Sequence, residues 1–197
     1  YSCHNAWVDP NGDLHLKIVD TNAGSYCANL ISNEQTFGFG QYEWQIFGQL
    51  EQLDPNIMLQ LGTKPASAST YSIATEFTHG GVSSNPVGHY TVNQSGTFQG
   101  PAFKVPTLSR PGLSTHRFTW GSQKIQFQSL VSNGNSEFAN WNFAQPILPM
   151  NIPQQPMGVR LDFCFASGQT QFFQSTSSEV VIHQFKFTHP LLPTIQP

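Results

Sequence analysis

The sequence predicts an all-β fold, a sandwich or jelly roll in which two antiparallel sheets pack face to face. Apolar residues recur at every second position in run after run, no stretch carries a sustained helical stripe, and Gly-, Pro- and Asn-containing turn signals separate the runs. A strand with one apolar face needs a second apolar layer to bury against, so many such strands imply two sheets with a shared interior.

The runs follow one another along the chain. After the turn signal Asp9-Pro10-Asn11-Gly12, Leu14, Leu16 and Ile18 alternate with His15, Lys17 and Val19. Tyr42, Trp44 and Ile46 alternate with Glu43 and Gln45; Ile73, Thr75 and Phe77 alternate with Ser72, Ala74 and Glu76. Phe118 and Trp120 precede a run with Ile125 and Phe127, Val159 to Phe165 alternates around Arg160, Asp162 and Cys164, and a last strand spans Val180 to Phe187. Turn signals such as Phe37-Gly38-Phe39-Gly40, Asp54-Pro55-Asn56 and Ser132-Asn133-Gly134-Asn135 lie between them. Thr63–Thr70, Phe98–Thr115 and Pro146–Pro156, rich in Ser, Ala or Pro, read as long loops, and loops of that length are more often functional rims than linkers.

Composition narrows the function. The chain has 197 residues, suited to one domain over 1–197, and only 10% of them are charged, against roughly 25% in an average globular domain. Its net charge of −3 supplies no basic face to neutralise phosphates, so nucleic acid is not an expected partner. No apolar run is long enough for a transmembrane helix. An aromatic content of 13% with small net charge is the signature of a folded chain, not a disordered one.

The chain opens at Tyr1 with neither Met nor an apolar leader, as a mature or trimmed form would. Cys3, Cys27 and Cys164 are an odd number, compatible with three buried thiols or with one disulfide and one thiol left over. The seven histidines and three cysteines show no close ligand spacing, so no metal or other cofactor is expected.

Four segments resemble glycoside hydrolase family 16, the lichenase and laminarinase group. They are Cys3 with Trp7–Ile18, then Ser25-Tyr26-Cys27-Ala28, then Phe37-Gly38-Phe39-Gly40-Gln41-Tyr42-Glu43, and later Thr115–Trp120 with Lys124-Ile125. Val180–Phe187 is similar to that family's closing strand. The resemblance implies a jelly roll of the concanavalin A-like lectin and glucanase type with a glycan cleft across one sheet, a polysaccharide partner, a Cys3–Cys27 disulfide with Cys164 free, and an extracellular location. A structural calcium is not expected, because the matching closing strand, Ile182-His183-Gln184-Phe185, has no acid.

The family's chemistry sits in a strand reading E-x-D-x-E, whose alternation turns three acids to one face. One carboxylate attacks the anomeric carbon and another protonates the leaving oxygen. The matching stretch here is Ser72-Ile73-Ala74-Thr75-Glu76-Phe77. Glu76 keeps the acid/base position, but Ser72 stands at the nucleophile and Ala74 at the middle acid. A serine hydroxyl without an activating base does not replace a carboxylate there. Asp162 is the candidate partner: across roughly 6.5–9.5 Å from Glu76 it would permit inversion through a water. Arg160, two residues away on the same strand face, offers the other reading, an Asp–Arg pair. Trp141, flanked by Asn140 and Asn142, reads equally as sugar subsite or core, while Tyr71, Ser72, Asn29 and Arg160 are further glycan-contact candidates. Trp44 and Trp120 fall on apolar strand faces and read as core.

The resulting expectation is an extracellular, monomeric, β-glucan-engaging protein with impaired retaining hydrolysis. The alternatives are an active hydrolase or transglycosylase using Glu76 with a partner such as Asp162, and a surface or assembly protein.

Overall fold

The computed structural model describes residues 5–21, 24–34, 36–65, 72–93, 97–107, 112–131, 136–144, 152–172 and 177–190. They form two antiparallel sheets packed face to face. The eight-stranded sheet runs in the order β1 (Ala6–Val8), β2 (Leu14–Thr21), β14 (Ser177–Thr188), β5 (Gly40–Phe47), β10 (Leu113–Trp120), β11 (Lys124–Val131) and β12 (Ser136–Ala144), with β3 (Gly24–Tyr26) pairing to β2. The six-stranded sheet runs β4 (Ala28–Ile31), β13 (Gly158–Phe165), β6 (Ile57–Lys64), β7 (Ile73–Phe77), β8 (Gly88–Asn93) and β9 (Thr97–Gln99).

Alternation fixes which side chains meet between the sheets. In β5 every second residue is buried, bringing Tyr42, Trp44 and Ile46 inward and leaving Gln41, Glu43 and Gln45 outward. Tyr42, Trp44, Phe118, Trp120 and Phe127 from one sheet pack against Leu59, Leu61, Phe77, Tyr90 and Phe163 from the other. Tyr42 and Phe118 stack at 4.7 Å between ring centroids. The indole N–H of Trp120 donates to the Pro153 carbonyl at 2.8 Å, so this buried aromatic leaves no polar atom unpaired.

One local expectation needs correction, and two details add to what the sequence showed. Phe98–Thr115 is not loop throughout, since β9 ends at Gln99 and β10 begins at Leu113. Ser136–Ala144, which contains Trp141, is a strand, and its rim position explains its weak apolar alternation. In β14 an extra residue falls between the Ile182 and Gln184 pairings with β5, which lets both Ile182 and Phe185 meet inward partners, Ile46 and Trp44.

The largest correction concerns the cysteines. Cys27 is bonded to Cys164, not to Cys3, so Cys164 is not a free thiol; Cys3 lies outside the described residues. Strand register is the reason. Ala28 pairs with Phe163 across β4 and β13, so the next positions outward, Cys27 and Cys164, face each other with Cα atoms 4.7 Å apart. Pairing between residues 137 apart in sequence is dictated by the sheet, not by spacing along the chain.

Candidate functional site

The outer face of the six-stranded sheet is the face carrying the matched acid positions. Register lays its side chains out in rows perpendicular to the strands. One row runs Asn29, Asp162, Gln60, Glu76 and His89 across β4, β13, β6, β7 and β8. The next runs Ile31, Arg160, Gly62, Ala74, Thr91 and Gln99. Ser72 lies just before β7, its N–H donating to Thr63 O at 2.9 Å and its carbonyl accepting from Asn93 N–H at 2.8 Å.

Glu76 accepts two hydrogen bonds at Oε1, from Gln60 Nε2 at 2.9 Å and from the Thr91 hydroxyl at 3.0 Å. Asp162 pairs with the Arg160 guanidinium, Nε to Oδ2 at 2.9 Å, and accepts from Asn29 Nδ2 at Oδ1. Gln60 stands between the two acids in the row, so their backbones are two strand spacings apart, roughly 9.5 Å. Each carboxylate is therefore tied to its own neighbours, and Asp162 adopts the Asp–Arg pairing. Lys64, on the same face of β6, has its pKa pushed down by partial burial and by the Arg160 charge, with Asp162 acting the other way.

The two substituted positions are covered as well as neutral. Ala74 is 0% exposed and Ser72 is 7% exposed. Trp141 lies elsewhere: it belongs to β12 of the other sheet, stacks on Phe127 at 5.5 Å and packs partly buried against the core. Its ring also covers Gly100, where a Cβ would come within 2.7 Å of the indole. Tyr71 lies outside the described residues. Among the described residues, no group of three or more His, Cys, Asp or Glu side chains gathers to hold a metal ion, and no helix is long and apolar enough to cross a membrane.

Gln60 and His89 flank Glu76 in its row, and Thr91 bonds to it from the next row, without any of the three having been singled out from the sequence. A signal for Gln60 does exist: Ile57, Leu59 and Leu61 alternate with Met58, Gln60 and Gly62, which marks Gln60 as outward on a strand. Its neighbour relation to Glu76 requires the register.

No protein-family profile matches the sequence, and no curated protein does. Solved structures do match. A β-1,3-1,4-glucanase (lichenase) derived from a mouse hindgut metagenome superposes with a TM-score of 0.64 at 14% identity, over 93% of this chain and 83% of that one. A glycosyl hydrolase family 16 protein from Mycobacterium smegmatis gives 0.63 at 16% identity, over 93% and 78%. A β-1,3-glucanase from Mycobacterium marinum gives 0.63 at 16% identity, over 94% and 78%. The order of strands, the two-sheet packing and these superpositions agree, and the chain has the sandwich fold of the family 16 glycoside hydrolases.

Proposed function

We propose that the chain is a secreted, monomeric glycan-engaging protein of the family 16 type, which uses the outer face of its six-stranded sheet to contact a β-glucan-like polysaccharide and lacks two-carboxylate retaining hydrolysis. The observation that carries this reading is the Ser72, Ala74, Glu76 series: one acid remains of three, and the two replaced positions are almost closed to solvent. Retaining hydrolysis needs two carboxyl groups about 5–5.5 Å apart, and inversion needs a second carboxylate able to activate water. Asp162 is engaged by Arg160 and Asn29, which argues against its serving as that base.

What remains suits binding. Gln60, Glu76, Asn29, Asp162 and Arg160 supply amide, carboxylate and guanidinium groups in register, the donors and acceptors a hydroxyl-rich ligand needs. The Cys27–Cys164 disulfide supports an oxidising compartment and hence secretion. The reading assigns the site no metal or cofactor, and EDTA is expected to leave binding unchanged.

Affinity electrophoresis and reducing-sugar release on β-1,3-, β-1,4- and mixed-linkage glucans test the proposal. Retardation without turnover, weakened in Glu76→Gln, is the expected result. Robust turnover abolished in Glu76→Gln would defeat the binding-only reading and restore the hydrolase alternative. Absence of retardation on every glucan, with self-association in solution, would favour an assembly protein.

A further inference from the structure

The outer face of the eight-stranded sheet, on the other side of the sandwich from Glu76, carries a second grouping of aromatic and polar side chains. Register aligns Trp7 of β1, His15 of β2, Val181 of β14 and Phe47 of β5 in one row across four adjacent strands. Their neighbours along the strands, Leu16, Val180, Ile182 and Ile46, are buried in the core, so the row itself points outward.

Each aromatic end of the row is braced by a histidine that a carboxylate holds. Trp7 stacks on His15, with centroids 4.8 Å apart and planes 12° from parallel. His15 Nδ1 lies 2.6 Å from Glu179 Oε1, and its Nε2 lies 3.6 Å from Asp9 Oδ2. The Phe47 ring lies 5.0 Å from His183, whose Nδ1 is 2.7 Å from Asp13 Oδ1. Trp7 nonetheless keeps 39% of its surface exposed. Beside Phe47 opens a cavity of about 440 Å³, lined by Phe47, Gln49, Gln52, Ser178 and Glu179 and by the backbone of Gly48 and Gly112. Glu179 joins the two features, since it borders the cavity and holds the histidine stacked on Trp7.

The chemistry selects a class of ligand. An exposed indole with one face held against the His15 ring offers its other face to the C–H face of a pyranose ring, while amides, a serine hydroxyl and a carboxylate take its hydroxyl groups. Bracing by His15 and His183 lowers the ordering cost of binding, because the rings are already held. The row spans three strand intervals, roughly 14 Å, the reach of an oligosaccharide segment. Asp9, Asp13 and Glu179 rim it, each already engaged by His15 or His183, with Lys17 opposite Glu179, so neither sign of charge is left free and the face suits an uncharged chain.

We propose that this face is a second saccharide-binding site, taking a short stretch of neutral β-glucan across Trp7 and seating a sugar unit in the Phe47 cavity. It is independent of the site around Glu76, and its failure is distinguishable from failure there.

Intrinsic tryptophan fluorescence with cellohexaose and laminarihexaose reads this site in a Trp141→Phe background, where the other two tryptophans, Trp44 and Trp120, are buried and Trp7 is exposed. Affinity electrophoresis in gels containing mixed-linkage β-glucan supplies the second readout. Trp7→Ala is expected to weaken binding about tenfold and Gln52→Ala several-fold, both with unchanged melting temperature, while Glu76→Gln leaves the Trp7 fluorescence response intact. Wild-type binding in both Trp7→Ala and Gln52→Ala overturns the proposal, as does failure of the wild-type chain to bind any of the three sugars. Binding abolished by Glu76→Gln alone also overturns it while supporting the site on the six-stranded sheet. Self-association that Trp7→Ala disrupts, without sugar binding, would identify the row as a contact between copies and overturn it too.

Discussion

The Tyr90 hydroxyl, on the six-stranded sheet, donates a 2.7 Å hydrogen bond to the Ser129 hydroxyl on the eight-stranded sheet, and so ties the two layers through the middle of an otherwise apolar core. Ser129 Oγ also lies 2.8 Å from His116 Nδ1, and His116 Nε2 lies 2.9 Å from Ser114 Oγ. His116 is fully buried, between Phe77 and Phe138. A polar network in that position stabilises only while every member is satisfied. Ser129→Ala leaves a buried histidine nitrogen without its partner and should cost about 1–3 kcal/mol. Tyr90→Phe removes the donor itself and should cost less, about 0.5–1.5 kcal/mol. Urea unfolding of the two variants measures the difference; equal midpoints for both variants and the wild type would remove the network from the account of stability.

The same histidine sets the acid limit of the fold. Burial pushes His116 down from its ordinary 6.5 to about 3. In the unfolded chain it protonates near 6.5, so between those values the unfolded state binds one more proton than the folded state. Stability is then whole above about pH 6.5 and falls by about 1.4 kcal/mol per pH unit below it, for a total of order 5 kcal/mol by pH 3. His15 acts in the opposite direction: Glu179 raises its pKa, so its contribution is present below 6.5 and is lost as pH rises through the raised value. Denaturant titrations from pH 7.5 to pH 4 should show the acid loss, and Glu179→Gln should flatten only the alkaline limb. A stability curve level between pH 6.5 and pH 4.5 would contradict the buried neutral histidine.

The two-sheet fold was legible because alternation is a local signal that survives divergence: Tyr42, Trp44 and Ile46 declare an inward face whatever lies beside them. The strand Ile73–Phe77 was legible for the same reason, with Ile73, Thr75 and Phe77 alternating with Ala74 and Glu76. Relations between strands were not legible. The Cys27–Cys164 bridge, the Gln60 bond to Glu76 and the row from Trp7 to Phe47 all depend on register between segments far apart in sequence. Trp141 was ambiguous because its flanking asparagines point outward from a rim strand while the indole itself packs against Phe127 and Gly100.

Reduction of the disulfide should loosen one edge of the candidate site. Cys27 and Cys164 clamp β4 onto β13 two residues from the Asn29–Asp162 pair. β4 is a four-residue edge strand, with β13 as its one neighbour in the sheet. Loss of the bridge should cost about 2–5 kcal/mol, chiefly by freeing the unfolded chain. Hydrogen exchange locates the effect: the β4 amides should lose protection before those of β6 and β7. Uniform loss across the sheet would mean that the bridge guards global stability alone.

Gly88 and Gly100 are places where the sandwich closes without spare room. At Gly88 a Cβ would come within 2.1 Å of the Phe103 ring, and at Gly100 within 2.7 Å of the Trp141 indole. Phe103 is buried beneath Tyr90 and Phe77, with centroids 4.6 and 6.4 Å away, so it has no direction in which to yield. Trp141 is only partly buried on the rim strand β12 and can swing outward. Gly88→Ala should therefore destabilise by about 1–3 kcal/mol through overpacking, and Gly100→Ala by less. The second substitution should instead expose the Trp141 indole, a red shift in its fluorescence with little change in melting temperature. If Gly100→Ala proved the more destabilising of the two, Trp141 would have to be a fixed core residue and not an adjustable rim.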